Sequence, residues 1–170
     1  MTFLIRDSGP ADLDALRDVY RRSSLSNDGD RANLLANPDV LEFPGPATGG
    51  DRTRVAVATG GRVVGFATTL IARDTAELDD LFVDPGWMRR GIGRALVLDA
   101  IEIARDRGAS RVEVTANPHA LVFYSRVGFT VDHEVRTQFG PGSRMHVEVA
   151  SSGARLPGCG AADEPAWWAT

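Results

Sequence analysis

Two glycines one residue apart, Gly91 and Gly93, sit among the cations Arg89, Arg90 and Arg94. This combination is suited to holding a polyanion. The run Leu81-Phe82-Val83 before them has the bulky apolar character of a strand end, and Pro85-Gly86 stops it. After Gly91 the apolar residues Ile92, Ala95, Leu96, Ile101 and Ala104 recur at helical spacing. A helix start carries backbone N–H groups without intrahelical partners and the positive end of the helix dipole. With no Cβ on two of its residues, the stretch Arg89 to Ala95 lets a diphosphate descend onto those amides. A few residues upstream, Glu77 and Asp79 lie two apart and so share one side of a strand, with Asp80 between that pair and Leu81. Carboxylates there can take a proton, directly or through one water, or attract a cation. Strand acids that are merely solvated or ion-paired are the plainer reading.

The spacing excludes two common cradles. A P-loop needs four residues between its glycines and a Gly-Lys-Ser/Thr ending. A dinucleotide fingerprint needs a third small residue three positions after Gly93, where this chain has Leu96. It also needs an acid ending a second strand about 20 residues later, where the pattern here is still helical.

The remaining elements must position this stretch. Phe3 to Arg6 reads as a strand, and Pro10 and Asp12 open a helix running to about Arg22. The segment Ser23 to Asp51 mixes a short helix, Arg31 to Ala36, with Asn, Pro and Gly breakers, as an acceptor-binding loop or plain surface would. Arg54 to Thr59 and Arg62 to Thr69 alternate around Gly60-Gly61 as a hairpin, and Thr75 to Val83 continues the meander. The central helix ends at Gly108, and Arg111 to Thr115 is a strand. Asn117 then reads as an N-cap with Pro118 at the first helical position, for a helix running to Val127. Thr130 to Phe139 and Arg144 to Val149 close the chain as a hairpin through Gly140 to Ser143. Residues 1–150 thus form one domain, an α+β mixed sheet with helices on both faces. Residues 151–170 turn to Ser, Gly, Ala and Pro and read as a tail carrying Trp167 and Trp168.

Composition narrows the partners. A net charge of −4, with arginines alternating with acids, lacks the basic excess of a nucleic-acid binder. No apolar run approaches the roughly 20 residues that span a bilayer, and the N-terminus lacks a signal-peptide pattern. A single cysteine, Cys159, excludes an internal disulfide, and with three scattered histidines it argues against a structural metal. A soluble cytoplasmic protein is the expectation.

The segment Met88-Arg89-Arg90-Gly91-Ile92-Gly93-Arg94-Ala95, following a strand that ends Leu81-Phe82-Val83-Asp84-Pro85, resembles the acyl-CoA-binding motif of the GNAT superfamily, the GCN5-related N-acetyltransferases. The family motif is Q/R-x-x-G-x-G/A; the glycines match, whereas Met88 stands at the Q/R position. A second segment, Asn117, Pro118, Ala120, Phe123, Tyr124, Gly128 and Phe129, resembles the family stretch lying along the acyl-CoA arm. The resemblance covers roughly Thr53 to Val149.

It implies a mostly antiparallel sheet of six to seven strands and an acetyl-CoA-dependent N-acetyltransferase acting on an amine, without metal, by direct attack in a ternary complex. The backbone of Met88 to Ala95 would hold the pyrophosphate and Leu81 to Val83 would pair with the pantetheine. Asn117 and Phe123 would border the arm. Tyr124 would protonate the leaving thiolate, and Glu77, with Asp79 and Asp80 as alternates, would serve as base or attract a cationic substrate. His119 lies near the presumed groove and reads as a surface residue. Two further readings stay open: an acyl-CoA-binding module without turnover, and an interaction module working through the Trp167-Trp168 tail. A homodimer is compatible with each.

Overall fold

In a computed structural model of the chain, which describes residues 2–26, 28–46 and 51–150, seven strands form one sheet. The tail with Cys159, Trp167 and Trp168 lies outside the described residues. In chain order the elements are β1 (Phe3–Asp7), α1 (Leu13–Ser24), α2 (Asp28–Ala36), β2 (Arg52–Ala58), β3 (Val63–Ala72) and β4 (Thr75–Val83). They continue as α3 (Ile92–Asp106), β5 (Arg111–Ala116), α4 (Leu121–Val127), β6 (Thr130–Thr137) and β7 (Gly140–Glu148). The spatial order is β1-β2-β3-β4-β5-β7-β6. Every neighbouring pair is antiparallel except β4 and β5, which are joined through the crossover α3.

Two apolar layers flank the sheet. On one face α3 buries Ile92, Leu96, Val97, Ala100, Ile101 and Ala104 at the spacing of a single helical stripe, against Val64, Ala67, Ala76, Leu78 and Val112. On the other, Leu16 and Val19 of α1 cover Val55, Val57, Phe66 and Phe43. The β2–β3 hairpin turns through Thr59, Gly60 and Gly61, with the Gly61 amide donating to the Ala58 carbonyl at 3.0 Å, and φ values of 96° and 85° place both glycines in the left-handed region that favours glycine. Asp12 fixes the entry to α1, accepting from the Gly9 amide at 2.8 Å and from both terminal nitrogens of Arg6 at 2.7 and 2.9 Å.

Three local expectations are corrected. Residues 118–120 form a turn, and α4 begins only at Leu121; the Asn117 side chain accepts the Ala120 amide at 2.9 Å and so caps that turn. The last hairpin reverses at Gln138-Phe139, with the Thr137 hydroxyl oxygen accepting the Phe139 amide at 3.1 Å. Pro141 therefore sits inside β7, tolerated because β5 pairs with β7 only as far as Ser143 and asks no N–H of it.

The third correction bears on the site. Thr69 pairs with Leu78 but Thr68 pairs with Asp80, so Asp79 is an extra residue, a β-bulge. Strict alternation would set Asp79 on one side with Glu77, as the sequence suggests, and Asp80 on the other. The bulge instead moves Leu81 and Val83 to the α3 face with Leu78 and turns Asp80 and Phe82 toward α1.

Candidate active site

Parallel pairing of β4 and β5 lasts only three residues, from Thr75–Arg111 to Glu77–Glu113. Beyond it the strands part, so Leu78 to Val83 and Val114 to Ala116 face each other across an opening without β4–β5 pairing. Backbone N–H and C=O groups along such edges are available to an extended ligand.

At the end of β4 the chain enters the glycine loop. Asp84 anchors its start: buried to 4% exposure, it accepts from the Gly86 amide at 2.9 Å, from Arg22 of α1 at 2.5 Å and from Arg62 at 2.9 Å. Arg89 has φ 59° and Gly91 φ 81°, and a Cβ on Gly91 would meet nothing within 4 Å. The turn is thus left-handed and open to solvent above. The first bond of the α3 ladder runs from Ala95 N–H to the Gly91 carbonyl at 2.9 Å, so the amides of Ile92, Gly93 and Arg94 have no preceding turn to bond. Met88, Arg89, Arg90 and Arg94 are exposed around it, with Arg90 lying 5.0 Å over the Trp87 ring. These features fit a diphosphate. Gly93 has a different reason: its missing Cβ would lie 3.4 Å from the Phe123 ring and 3.7 Å from Val83, which brings α3 close to α4 and the strand end.

On the α1 side of the opening lies a cavity of about 710 Å³. Its wall includes Tyr20, Ser23 and Leu34 from the N-terminal helices, Asp79, Leu81 and Phe82 from β4, Asn117 and His119 after β5, and Phe139 of the last hairpin. The Tyr20 ring stands edge-on to Phe82 at 4.8 Å, with its hydroxyl donating to the Val40 carbonyl at 2.7 Å.

The three β4 carboxylates have different surroundings. Glu77 takes both terminal nitrogens of Arg144, one at 2.5 Å, and Arg144 also binds Glu113 and the Thr115 hydroxyl. Glu113 in turn accepts from Arg111. This cluster sits where β4 and β5 begin to part, and Glu77 is not in the cavity wall. Asp79, the bulge residue, is exposed in that wall. Asp80 is half-buried beside Tyr20: burial raises its carboxyl above the ordinary aspartate range, the charge of Asp79 adds to this, and a hydrogen bond from Thr68 opposes it.

Tyr124 is buried at 6% exposure between Phe123 and Phe129, both edge-on at 5.1 and 5.4 Å. It is outside the cavity wall, and burial pushes its phenol well above the usual range, so the ring stays protonated. Tyr20 and Phe139 were absent from the sequence-based site. Tyr20 reads from sequence as part of the first helix and Phe139 as the end of a strand in the closing hairpin, and no local signal turns either toward the site.

A family model described as the acetyltransferase (GNAT) family matches residues 13–129. The glucosamine 6-phosphate N-acetyltransferase of Trypanosoma brucei brucei is 34% identical over 76 residues, 41% of this chain and 52% of that protein. The chain thus spans about half the length of that relative. Among solved structures, the ribosomal-protein-S18-alanine N-acetyltransferase from Escherichia coli superposes with a TM-score of 0.69 at 22% identity, over 91% of this chain and 99% of that one. An N-acetyltransferase from Thermoplasma acidophilum in complex with coenzyme A gives 0.66 at 20% identity, over 87% and 99%. At these identities the superpositions speak for the fold alone, while the family match rests on more than half of the chain. With its seven-stranded, mostly antiparallel sheet parted between β4 and β5, the chain belongs to the acetyltransferase (GNAT) family.

Proposed function

We propose that the protein is an acetyl-CoA-dependent N-acetyltransferase that passes an acetyl group to a primary amine by direct attack in a ternary complex. The observation that carries this reading is the continuity of three features: the open turn before α3, the unpaired edges of β4 and β5, and the cavity on the α1 side. A diphosphate on the amides of Ile92 to Arg94 would leave its extended arm between those edges, with Phe123 and Asn117 beside it and its thioester at the cavity.

An alkyl amine is mostly protonated at neutral pH, with a pKa of about 10, and must lose a proton to attack. Asp80 is the better-suited base, because its raised pKa strengthens its hold on a proton, whereas Glu77 is committed to Arg144. Asp79 offers its charge to the cation. The amine nitrogen bonds to the thioester carbonyl carbon, the carbon–sulfur bond breaks, and the proton lost by nitrogen goes to Asp80, directly or through water. The departing thiolate takes a proton from Tyr124, and the phenolate so formed regains one from water, since burial among apolar neighbours favours the neutral phenol.

A second reading, acyl-CoA binding without turnover, is favoured by one observation: Tyr124 lies in the core rather than in the cavity wall. Thiol release from acetyl-CoA, followed across a panel of amines alongside calorimetric binding of acetyl-CoA, separates the two. Release with at least one amine supports transfer. Binding without release supports the silent module, and no binding by folded protein removes both.

A further inference from the structure

The basic side chains are distributed unevenly along the proposed groove. All 19 basic residues are arginine, and Arg89, Arg90 and Arg94 crowd the glycine loop, with Arg22 and Arg62 holding Asp84 at its start. None lines the cavity, among the described residues, whereas Asp79 does and Asp80 stands behind it beside Tyr20. The nearest guanidinium to its Thr115 edge, that of Arg144, is already shared between Glu77 and Glu113.

We infer that the acceptor is a small molecule with at least two amino groups and no carboxylate or phosphate, one ammonium resting against Asp79 while another amine, deprotonated, attacks. This rests on the acetyl-transfer reading of the same site. An amino acid or a sugar phosphate would bring an anion into a cavity whose described lining carries the carboxylate of Asp79 and no guanidinium to receive it. A lone amine meets a different conflict: a carboxylate beside an ammonium favours its charged form, the form that cannot attack. A second amine resolves this, since one group can stay charged at Asp79 while the other reacts. Aromatic faces on Tyr20, Phe82 and Phe139 suit both the alkyl stem and a cation, and the volume is within the usual small-molecule range of roughly 300–1,000 Å³. An extended peptide would want a sheet edge, and the two edges beside the cavity are those the reading gives to the thioester arm.

The test compares thiol release from acetyl-CoA with 1,4-diaminobutane, butylamine, 4-aminobutanoate and an alanine-led tripeptide, in wild type and Asp79→Asn. The chain has no lysine, so no Nε-acetylation of the enzyme itself adds to the signal. The diamine should exceed the other three in kcat/KM by roughly tenfold or more, and Asp79→Asn should shrink its advantage over butylamine roughly five- to tenfold. Equal use of butylamine or 4-aminobutanoate, a preference for the tripeptide, or a diamine advantage unchanged in Asp79→Asn overturns this inference and leaves acetyl transfer standing. No release from any amine, with acetyl-CoA bound, overturns the transfer reading and this inference with it.

Discussion

Arg144 of β7 reaches across β5 to grip Glu77 of β4 with both of its terminal nitrogens. The carboxylate that sequence singles out as a base is thereby committed to an ion pair at the vertex where the sheet parts, while Asp80, three residues on, is left with a raised pKa. Asp80→Asn should therefore cost about 10²- to 10⁴-fold in kcat, the usual yield of a positioned base, and Glu77→Gln less than about tenfold. Steady-state rates on the two variants decide it, and the reverse order would return the role to Glu77.

Asp80 also sets a pH dependence. Its folded pKa lies above the ordinary 3.8, so kcat/KM should fall on acidification at a higher pH than an ordinary carboxylate would give, and Asp80→Asn should lack that limb. The linked stability has the opposite sense. Between 3.8 and the raised value the folded state binds more protons than the unfolded one, so Asp80 makes stability fall as pH rises through that window. Asp12 and Glu113 run the other way: hydrogen bonds from Arg6 and Arg144 lower their pKa values, and their contribution is lost as pH falls. Denaturant midpoints of wild type and Asp80→Asn across the acid range check the sign.

Gly65 is where α3 settles on the sheet. A Cβ there would lie 3.0 Å from the Phe82 carbonyl oxygen and 3.2 Å from Ile92 Cγ2, so it would press on β4 and on the start of α3 together. Gly65→Ala should destabilise by about 1–3 kcal/mol, the usual cost of overpacking, and should weaken acetyl-CoA binding as β4 shifts. Thermal melts and calorimetry measure the two effects, and an unperturbed variant would mean that α3 sits further from the sheet.

Tyr124→Phe keeps the ring and its contacts with Phe123 and Phe129 and removes only the hydroxyl. Turnover should fall by about 10²-fold or more with acetyl-CoA affinity little changed, as expected on losing a positioned proton donor. A rate equal to wild type would leave Tyr124 a core residue and return the thiolate's proton to water.

Much of this fold is legible along the chain because its signals are local. The apolar stripe from Ile92 to Ala104, the Gly60-Gly61 turn and the spacing of Gly91 and Gly93 each follow from residues within a few positions of one another. The bulge at Asp79 does not, because it arises from how β4 registers against Thr68 and Thr69, and it moves Asp80 to the face of Tyr20, 60 residues earlier in the chain. The same holds for Arg144, whose partner Glu77 is 67 positions away. A period-two reading of β4 therefore picks out these carboxylates but misassigns their surroundings.

The most direct test is an amide-resolved titration of isotopically labelled protein with acetyl-CoA, followed by two-dimensional NMR. The largest shifts are expected at the amides of Ile92, Gly93 and Arg94, continuing along Leu81 to Val83 and Ala116 to Asn117 on the two parted edges. Binding that leaves those amides unmoved and shifts another surface instead would contradict this binding mode.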